Sequence, residues 1–408
     1  MLHRSDLRPY QVEAVRLAVE RKRLALFLAP GDGKTAVALT ALADLEAWPA
    51  LVAAPAAVAE ATWRDEAARW DHLQNLEVVS VVGSAAERRR ALHDGFAHVE
   101  VVSYENLKWL SDEVDLGARY RAIVFDELSK MKHPGTGRFR RLRARAERIP
   151  VRLGLTGTPV GNHLLDIWGE MYMVAGAAAL GPRYGDFRDQ FFEAKGWKWK
   201  TYEPRPWAAK RVRELIAPFA YSLPPQPEAR CELRVNELRV AMPAEAAALS
   251  ERLVKELWAT LPSGADLEAL SASTVAVKLR QVSSGAVYLR PPKADDPGGK
   301  GPWEEVHGAK LVALGELLDE LQGEPLLVFY WFGHELERIS AMLRRRGVPF
   351  RRLESASDVL EWNRGGLEVL LAHPQSGGYG LNLQGGGHHV AWFALPWSHE
   401  LWTQANAR

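Results

Sequence analysis

A chain of 408 residues is longer than one ordinary hydrophobic core supports, and two or three domains are expected. Hydrophobic residues make up 47% and charged residues 25%, the balance of a globular protein, and no uninterrupted apolar run approaches bilayer length. A net charge of +1 excludes a globally polycationic binder, so any nucleic-acid surface is local, and the single cysteine, Cys231, excludes a disulfide framework and any multi-cysteine zinc site.

Met1 to Tyr10 carries charge and no apolar core, which argues against a signal peptide and, with the lone cysteine, for a cytoplasmic protein. Leu7-Arg8-Pro9-Tyr10-Gln11 opens a helix that runs to about Arg21. A glutamine just ahead of a phosphate-binding turn can read adenine, because its amide donates and accepts on one planar edge; taken alone it is an ordinary polar residue at a helix start. The apolar run Leu24 to Leu28 reads as a buried strand, and Ala36 to Leu42 as a helix. Between them, Gly31-Asp32-Gly33-Lys34-Thr35 has the arrangement of a phosphate-binding loop. Its glycines let backbone N–H groups turn inward, and the helix start adds its positive dipole end. Lys34 can reach the β- and γ-phosphates of ATP, and the Thr35 hydroxyl can ligate Mg²⁺. The fuller pattern has a glycine where this chain has Leu28.

Leu51 to Ala54 is a second strand ended by Pro55, and Trp63, Glu66 and Trp70 follow at helical spacing. Val78 to Val82 and Val99 to Val102 are further strands, the latter leading into Ser103-Tyr104-Glu105-Asn106. Strands alternating with helices in this rhythm predict a parallel α/β sheet, whose ligands sit at the strands' carboxyl ends. Ala122 to Phe125 leads into Asp126-Glu127. Asp126 would hold Mg²⁺, and Glu127 would orient and deprotonate an attacking water. Arg138 to Arg145 is a dense basic run on a helix, either a solvated face or a phosphate contact. Leu153 to Pro159 is a strand ending in hydroxyls, either a sensor of the γ-phosphate or an ordinary polar turn.

From Gly176 to about Pro302 the rhythm fades. Trp197-Lys198-Trp199-Lys200 would bracket nucleic acid or bury its tryptophans. Pro224-Pro225-Gln226-Pro227 reads as a linker, Glu245 to Trp258 and Leu267 to Leu279 as helices, and Pro291 to Pro302 as a loop. The rhythm resumes with a helix from Lys310 to Leu321, strand Leu326 to Tyr330, a helix from about His334 to Arg346, strand Val369 to Ala372, strand His389 to Phe393 and a terminal helix holding Gln404 to Arg408.

Taken in order, these pieces resemble the superfamily 2 helicase-translocases, most closely the Swi/Snf branch and its compact phage and prophage members. Leu7 to Gln11 looks like the adenine-side motif and Gly31 to Thr35 like motif I. Pro55 with Trp63 and Glu66 looks like motif Ia, Ser103-Tyr104-Glu105 like the turn that holds a DNA phosphate, and Asp126-Glu127 with Lys130 and Lys132 like motif II. Leu155 to Pro159 with Asn162 is similar to motif III. Leu279-Arg280-Gln281 resembles a signature of the helical part, Val328-Phe329 motif IV, Gly377 to Gln384 motif V, and Pro396-Trp397 with Gln404 to Arg408 the start of motif VI.

The resemblance implies two RecA-like parallel-sheet domains in tandem, a P-loop NTPase fold with helical insertions. Residues 1–222 would form the ATP-binding domain, with a helical insertion over about 176–222. Residues 223–408 would supply a linker, a helical part and the second domain, ending inside motif VI. It implies an ATP- and Mg²⁺-using, DNA-dependent ATPase that tracks along duplex DNA. A strand-separating helicase and a nucleotide-gated DNA-binding module with low turnover are the alternatives. Residue by residue it implies catalytic roles for Lys34, Asp126, Glu127 and Arg408. Nucleotide contacts would come from Arg8, Gln11, Gly31, Gly33, Lys34, Thr35, Gly380 and Gln404, and Mg²⁺ contacts from Thr35 and Asp126. Nucleic-acid contacts or coupling would come from Pro55, Ser103, Tyr104, Ser376 and Asn382. The expected setting is a monomer in the cytoplasm, the host's if phage-encoded, with a nuclease or replication partner and no membrane. Three features depart from the family pattern. Asp32 puts a carboxylate inside the loop. Leu128-Ser129 stands in place of the common Ala-His. The second arginine of motif VI falls beyond Arg408, from which a truncated piece or weak turnover is expected.

Overall fold

Short apolar runs separated by helical segments become parallel strands, because a parallel neighbour can be reached only through a crossover. The computed structural model describes residues 1–157, 163–196, 201–223, 234–261, 263–268, 271–289, 301–377 and 383–406. The first half contributes β1 (Arg23–Phe27), β2 (Ala50–Ala54), β3 (Val78–Val81), β4 (Val99–Ser103), β5 (Ala122–Asp126) and β6 (Val151–Thr156). A small antiparallel hairpin, β7 (Phe192–Lys195) and β8 (Thr201–Pro204), follows, and then β9 (Ala220–Ser222). Seven of these form one all-parallel sheet in the order β3-β4-β2-β5-β6-β1-β9. Helices cover both faces, so the strands are buried on both sides and read as continuous apolar runs. Ile123 and Phe125 of β5 face one core layer with Leu128, Trp168 and Met171; Ala122 and Val124 face the other with Val37, Trp63 and Leu153.

The chain divides into two compact units, one built on Met1–Arg230 and the other on Cys231–Gly378 with Asn382–Asn406. The second unit begins with helices Ala244–Glu256 and Ala272–Ser283 and two antiparallel hairpins. These are β10 (Trp258–Thr260) with β11 (Asp266–Glu268), and β12 (Ala286–Tyr288) with β13 (Trp303–Glu305). A four-stranded parallel sheet follows, from β14 (Leu326–Phe329), β15 (Phe350–Arg352), β16 (Val369–Ala372) and β17 (His389–Trp392), in the order β15-β16-β14-β17. Its core gathers Leu314, Leu318, Leu326, Val328, Ile339, Leu343, Val369 and Leu371. Buried Glu335 holds the start of helix Gly333–Arg346, its Oε2 accepting from the Trp331 N–H at 2.7 Å and the Phe332 N–H at 3.0 Å. Two parallel α/β sheets are the architecture expected of a tandem P-loop protein. No described helix is long and apolar enough to cross a membrane.

Two segments differ from the sequence reading. The helix expected from Leu267 starts at Ala272, because Asp266–Glu268 pairs with Trp258–Thr260 and Ser271 caps the helix by accepting from the Thr274 N–H at 3.2 Å. The segment after Gly176 is not wholly helical. It contains the β7–β8 hairpin and closes with β9, whose Ala220 to Ser222 register against Ala25 to Phe27. The linker Pro224–Pro227 and the Trp197–Lys200 run lie outside the described residues.

Glu100 is a buried carboxylate in the middle of β4. It accepts from the Arg119 guanidinium and, at 2.5 Å, from the Tyr120 hydroxyl. Removing one partner of a buried ion pair leaves the other uncompensated, at about 3–5 kcal/mol. Glu100→Ala is expected to destabilise the first unit by about 3 kcal/mol, read as a lower urea midpoint; an unchanged midpoint contradicts this account of β4.

Candidate active site

Parallel strands in register end on a common edge. Phe27 of β1 lies opposite Thr156 of β6, Leu155 opposite Asp126 of β5, and Ala54 of β2 opposite Ser103 of β4. The turns after these strands therefore leave one carboxyl edge side by side, where ligands of open α/β sheets bind. Every first-unit candidate in these turns stands on that edge.

The loop after β1 is shaped by its own backbone. Gly33 has φ +73, which favours glycine, and a Cβ there would meet Gln11 Nε2 at 2.3 Å and push the amide aside. Helix Lys34–Leu45 starts directly behind it, with Thr35 in its first turn. The Lys34 ammonium donates to the carbonyls of Leu28 at 2.9 Å and Ala29 at 3.0 Å. The Asp32 carboxylate, which the sequence places inside an anion-binding loop, turns back and accepts from the Ala29 N–H at 2.8 Å. Tyr10 and Gln11 both donate to the Asp32 carbonyl, at 3.2 and 3.1 Å, and Gln11 Oε1 accepts from the Arg8 N–H at 2.7 Å. The Gln11 amide thus bonds the loop through its nitrogen and the Arg8 backbone through its oxygen. Exposed Arg8 immediately precedes helix Pro9–Arg21, which carries Tyr10 and Gln11.

Five donors hold the carboxylate pair at the end of β5. Trp63, 1% exposed, donates its indole N–H to Asp126 Oδ2 at 2.8 Å. Glu127 takes the left-handed conformation at φ 65, which costs a residue other than glycine about 1–3 kcal/mol unless its surroundings enforce it. Those surroundings are specific. Glu127 Oε1 accepts from Ser129 at 2.8 Å and from Thr156 at 3.2 Å. Its carbonyl accepts from the Lys130 N–H at 3.0 Å and the Tyr104 hydroxyl at 3.3 Å. A Cβ on Gly157 would lie 2.8 Å from Pro30, so the turn after β6 packs tightly on the loop after β1.

Tyr104 is buried, and burial, with the Asp126 and Glu127 carboxylates, pushes its phenol well above the usual value. Its position is one of coupling between the turn after β4 and the carboxylate pair. Buried Ser103 accepts from the Asn106 N–H at 3.3 Å, and buried Pro55 caps helix Ala56–Glu60. The basic run forms helix Gly137–Ala146, with Phe139, Leu142 and Ala146 inward. Its arginines make contacts within the chain: Arg138 lies over the Tyr104 ring, Arg143 over Tyr172, and Arg141 pairs with Asp112.

In the second unit Gln404 lies in helix His399–Asn406, 1% exposed, and its amide has no hydrogen-bond partner among the described residues. Ser376 belongs to the short helix Pro374–Gly377 after β16. Gly380, Asn382 and Arg408 lie outside the described residues, as do Thr158 to Asn162 of the expected motif III.

The first unit thus brings together Gln11, Gly31, Gly33, Lys34, Thr35, Asp126 and Glu127 on one edge. The Thr35 hydroxyl and the Asp126 carboxylate are hard oxygen donors of the kind Mg²⁺ takes, and Lys34 with the helix start suits a polyphosphate. Sequence reasoning assigned no role to the Trp63 indole or to Ser129. A buried tryptophan N–H must find an acceptor, and a hydroxyl two residues after a carboxylate can reach it; both signals were present.

Residues 10–217 match the family model of the SNF2-related domain. Protein p41 of Acyrthosiphon pisum secondary endosymbiont phage 1 is 35% identical over 412 aligned residues, covering 97% of this chain and 87% of its own length. The DNA 3'-5' translocase XPB2 of Sulfurisphaera tokodaii is 27% identical over 38% of this chain, and the alignment spans 31% of that protein. The solved Sulfolobus solfataricus SWI2/SNF2 ATPase core in complex with dsDNA aligns at 17% identity and a TM-score of 0.46, covering 95% of this chain and 82% of that one. The chain belongs to the SNF2-related family of Swi2/Snf2-type ATPase cores.

Proposed function

We propose that this chain hydrolyses ATP in response to DNA and uses the cycle to move along the duplex. The observation that carries the reading is the Asp126–Glu127 pair, fixed by Trp63, Ser129 and Thr156 on the same sheet edge as Lys34 and Thr35. The family membership supports ATP, and the DNA translocase activity for which the archaeal relative is named supports the substrate.

In this reading Gly31, Gly33 and the start of helix Lys34–Leu45 cradle the phosphates, and Lys34 exchanges its loop carbonyls for phosphate oxygens. Thr35 and Asp126 would hold Mg²⁺, which supplies charge neutralisation on the phosphates when bound. Trp63 fixes one Asp126 oxygen. Glu127 accepts the proton of the attacking water, oriented by the hydroxyls of Ser129 and Thr156. Arg8 and Gln11 lie on the adenine side. The family resemblance assigns nucleotide contacts to Gly380 and Gln404 as well, and a catalytic role to Arg408. Pro55, Ser103, Tyr104, Ser376 and Asn382 carry or couple the DNA contact. In this reading residues 1–222 serve as the ATP-binding domain and residues 223–408 as the linker, helical part and second domain.

ATPase rates measured with duplex DNA, single-stranded DNA, RNA or no nucleic acid test the reading. Duplex DNA is expected to stimulate most, without strand separation on forked substrates, and chelation of Mg²⁺ to stop turnover. Lys34→Ala is expected to abolish hydrolysis; an unchanged rate, or no affinity for ATP, overturns the proposal. DNA binding that follows ATP with negligible turnover points to a nucleotide-gated binding module instead.

The two clamps on the carboxylates separate kinetically. A hydrogen bond to a charged group contributes about 1.5–3 kcal/mol, and each 1.4 kcal/mol is a factor of about ten. Trp63→Phe is expected to lower kcat about tenfold and to raise the Mg²⁺ concentration needed for half-maximal rate. Ser129→Ala is expected to lower kcat by a similar factor with KM for ATP and the Mg²⁺ requirement unchanged. Equal responses of the two variants in Mg²⁺ dependence contradict the separate roles.

A further inference from the structure

We propose that Glu324, His388 and His389 form a binding site for a divalent transition metal on the amino-terminal edge of the second sheet. One ligand atom from each lies within 4.8 Å of the others. The topology explains the meeting. Glu324 belongs to the turn that enters β14, and His389 opens β17, which pairs directly with β14 so that His389 registers with Leu326. Parallel pairing thus brings two turns far apart in sequence side by side, at the end of the strands opposite to the carboxyl edge that carries the motif loops.

The histidine side of the cluster is held by packing. A Cβ on Gly387 would sit 2.9 Å from Pro325 Cβ, so the turn before the histidines lies directly against the residue after Glu324. Trp362, 1% exposed, donates to the Leu383 carbonyl at 2.8 Å and fixes the start of that turn. The two imidazoles lie 4.3 Å apart between centroids, tilted by 43°. Among the described residues, none of the three side chains makes a hydrogen bond or ion pair, and Glu324 and His388 are exposed. Nothing in the packing of the sheet calls for two imidazoles and a carboxylate pointing together.

Two imidazoles and one carboxylate suit Zn²⁺, Co²⁺, Ni²⁺ or Cu²⁺, whereas Mg²⁺ prefers all-oxygen sites. Zinc ligands stand about 2.0–2.2 Å from the ion, hence about 3.4 Å from one another in a tetrahedron, so the set closes by up to about 1.4 Å on loading. Exposed side chains have room to make that rotation. Three protein ligands leave a position for water. The ion would bridge the turns entering β14 and β17 and bind the folded second unit alone, so it would stabilise that unit by mass action.

The test uses the full chain, stripped of metal and titrated with Zn²⁺ and Co²⁺ by calorimetry, with the visible absorption of Co²⁺ as a second readout. One saturable site is expected, together with a nitrogen–oxygen Co²⁺ spectrum of low coordination number, a melting temperature that rises with Zn²⁺, and no competition from millimolar Mg²⁺. The double variant His388→Ala/His389→Ala is expected to lose the site, and Glu324→Gln to bind at least about tenfold more weakly. Absence of saturable binding in the parent chain overturns the proposal. Undiminished affinity in either variant overturns it too, as does loss of the ion to Mg²⁺.

Discussion

The candidate site depends on the level carboxyl edge of one parallel sheet. Its register is fixed by the hydrogen-bond ladder: Phe27 opposite Thr156 and Leu155 opposite Asp126. A slip of one residue in β5 or β6 would turn Ile123 and Phe125 to the wrong core layer and displace the carboxylates along the strand axis by about 3.3 Å. The cores on both faces resist such a slip. Burial of Ile123, Phe125, Val124 and Leu153 specifies the register, and the register places Asp126, Thr156 and the loop after Phe27 within reach of one another. Chemistry on this edge is a consequence of packing beneath it.

Within that frame neutral donors reach both carboxylates. Trp63 gives a single N–H to Asp126 from a site with almost no solvent, where a hydrogen bond to a charge counts for more than in water. Glu127 is forced into an unfavourable backbone conformation, and Tyr104, Ser129, Thr156 and Lys130 all bond to it. Strain enforced from several sides at a carboxylate is the pattern of a preorganised group. It also ties three turns together, because Tyr104 leaves β4, Glu127 leaves β5 and Thr156 ends β6.

Much of this was legible in the amino-acid sequence, for definite reasons. Apolar runs such as Leu51 to Ala54 and Val369 to Ala372 announce strands because both sides of a parallel sheet are buried. Gly33 announces the turn between β1 and helix Lys34–Leu45 because a glycine's backbone freedom is a local property. What was not legible depends on partners distant in sequence. Ala220 to Ser222 carries no periodic signal of its own and is a strand only because β1 offers an open edge. Glu100 looks like an interruption of an apolar strand until Arg119 and Tyr120 are seen to neutralise and satisfy it. Asp32 looks repulsive until its carboxylate is seen accepting from the Ala29 N–H. The left-handed backbone of Glu127 has no sequence signature, because glutamate seldom adopts it without tertiary enforcement.

Ser129 stands in place of the histidine of the motif II pattern that the sequence resembles, and the structure gives that difference a physical meaning. A histidine beside Glu127 would change charge near neutral pH, so its hold on the carboxylate would vary with proton concentration. A serine hydroxyl donates at 2.8 Å and has no proton to lose in that range. Thr156, the second hydroxyl on the same oxygen, is likewise insensitive to pH. These two bonds to Glu127 Oε1 therefore do not vary with proton concentration, and movement of the turns after β5 and β6 is one route by which events elsewhere reach the carboxylate. The tight packing of Gly157 on Pro30 supplies that route, since a shift of the loop after β1 displaces the turn that follows Thr156.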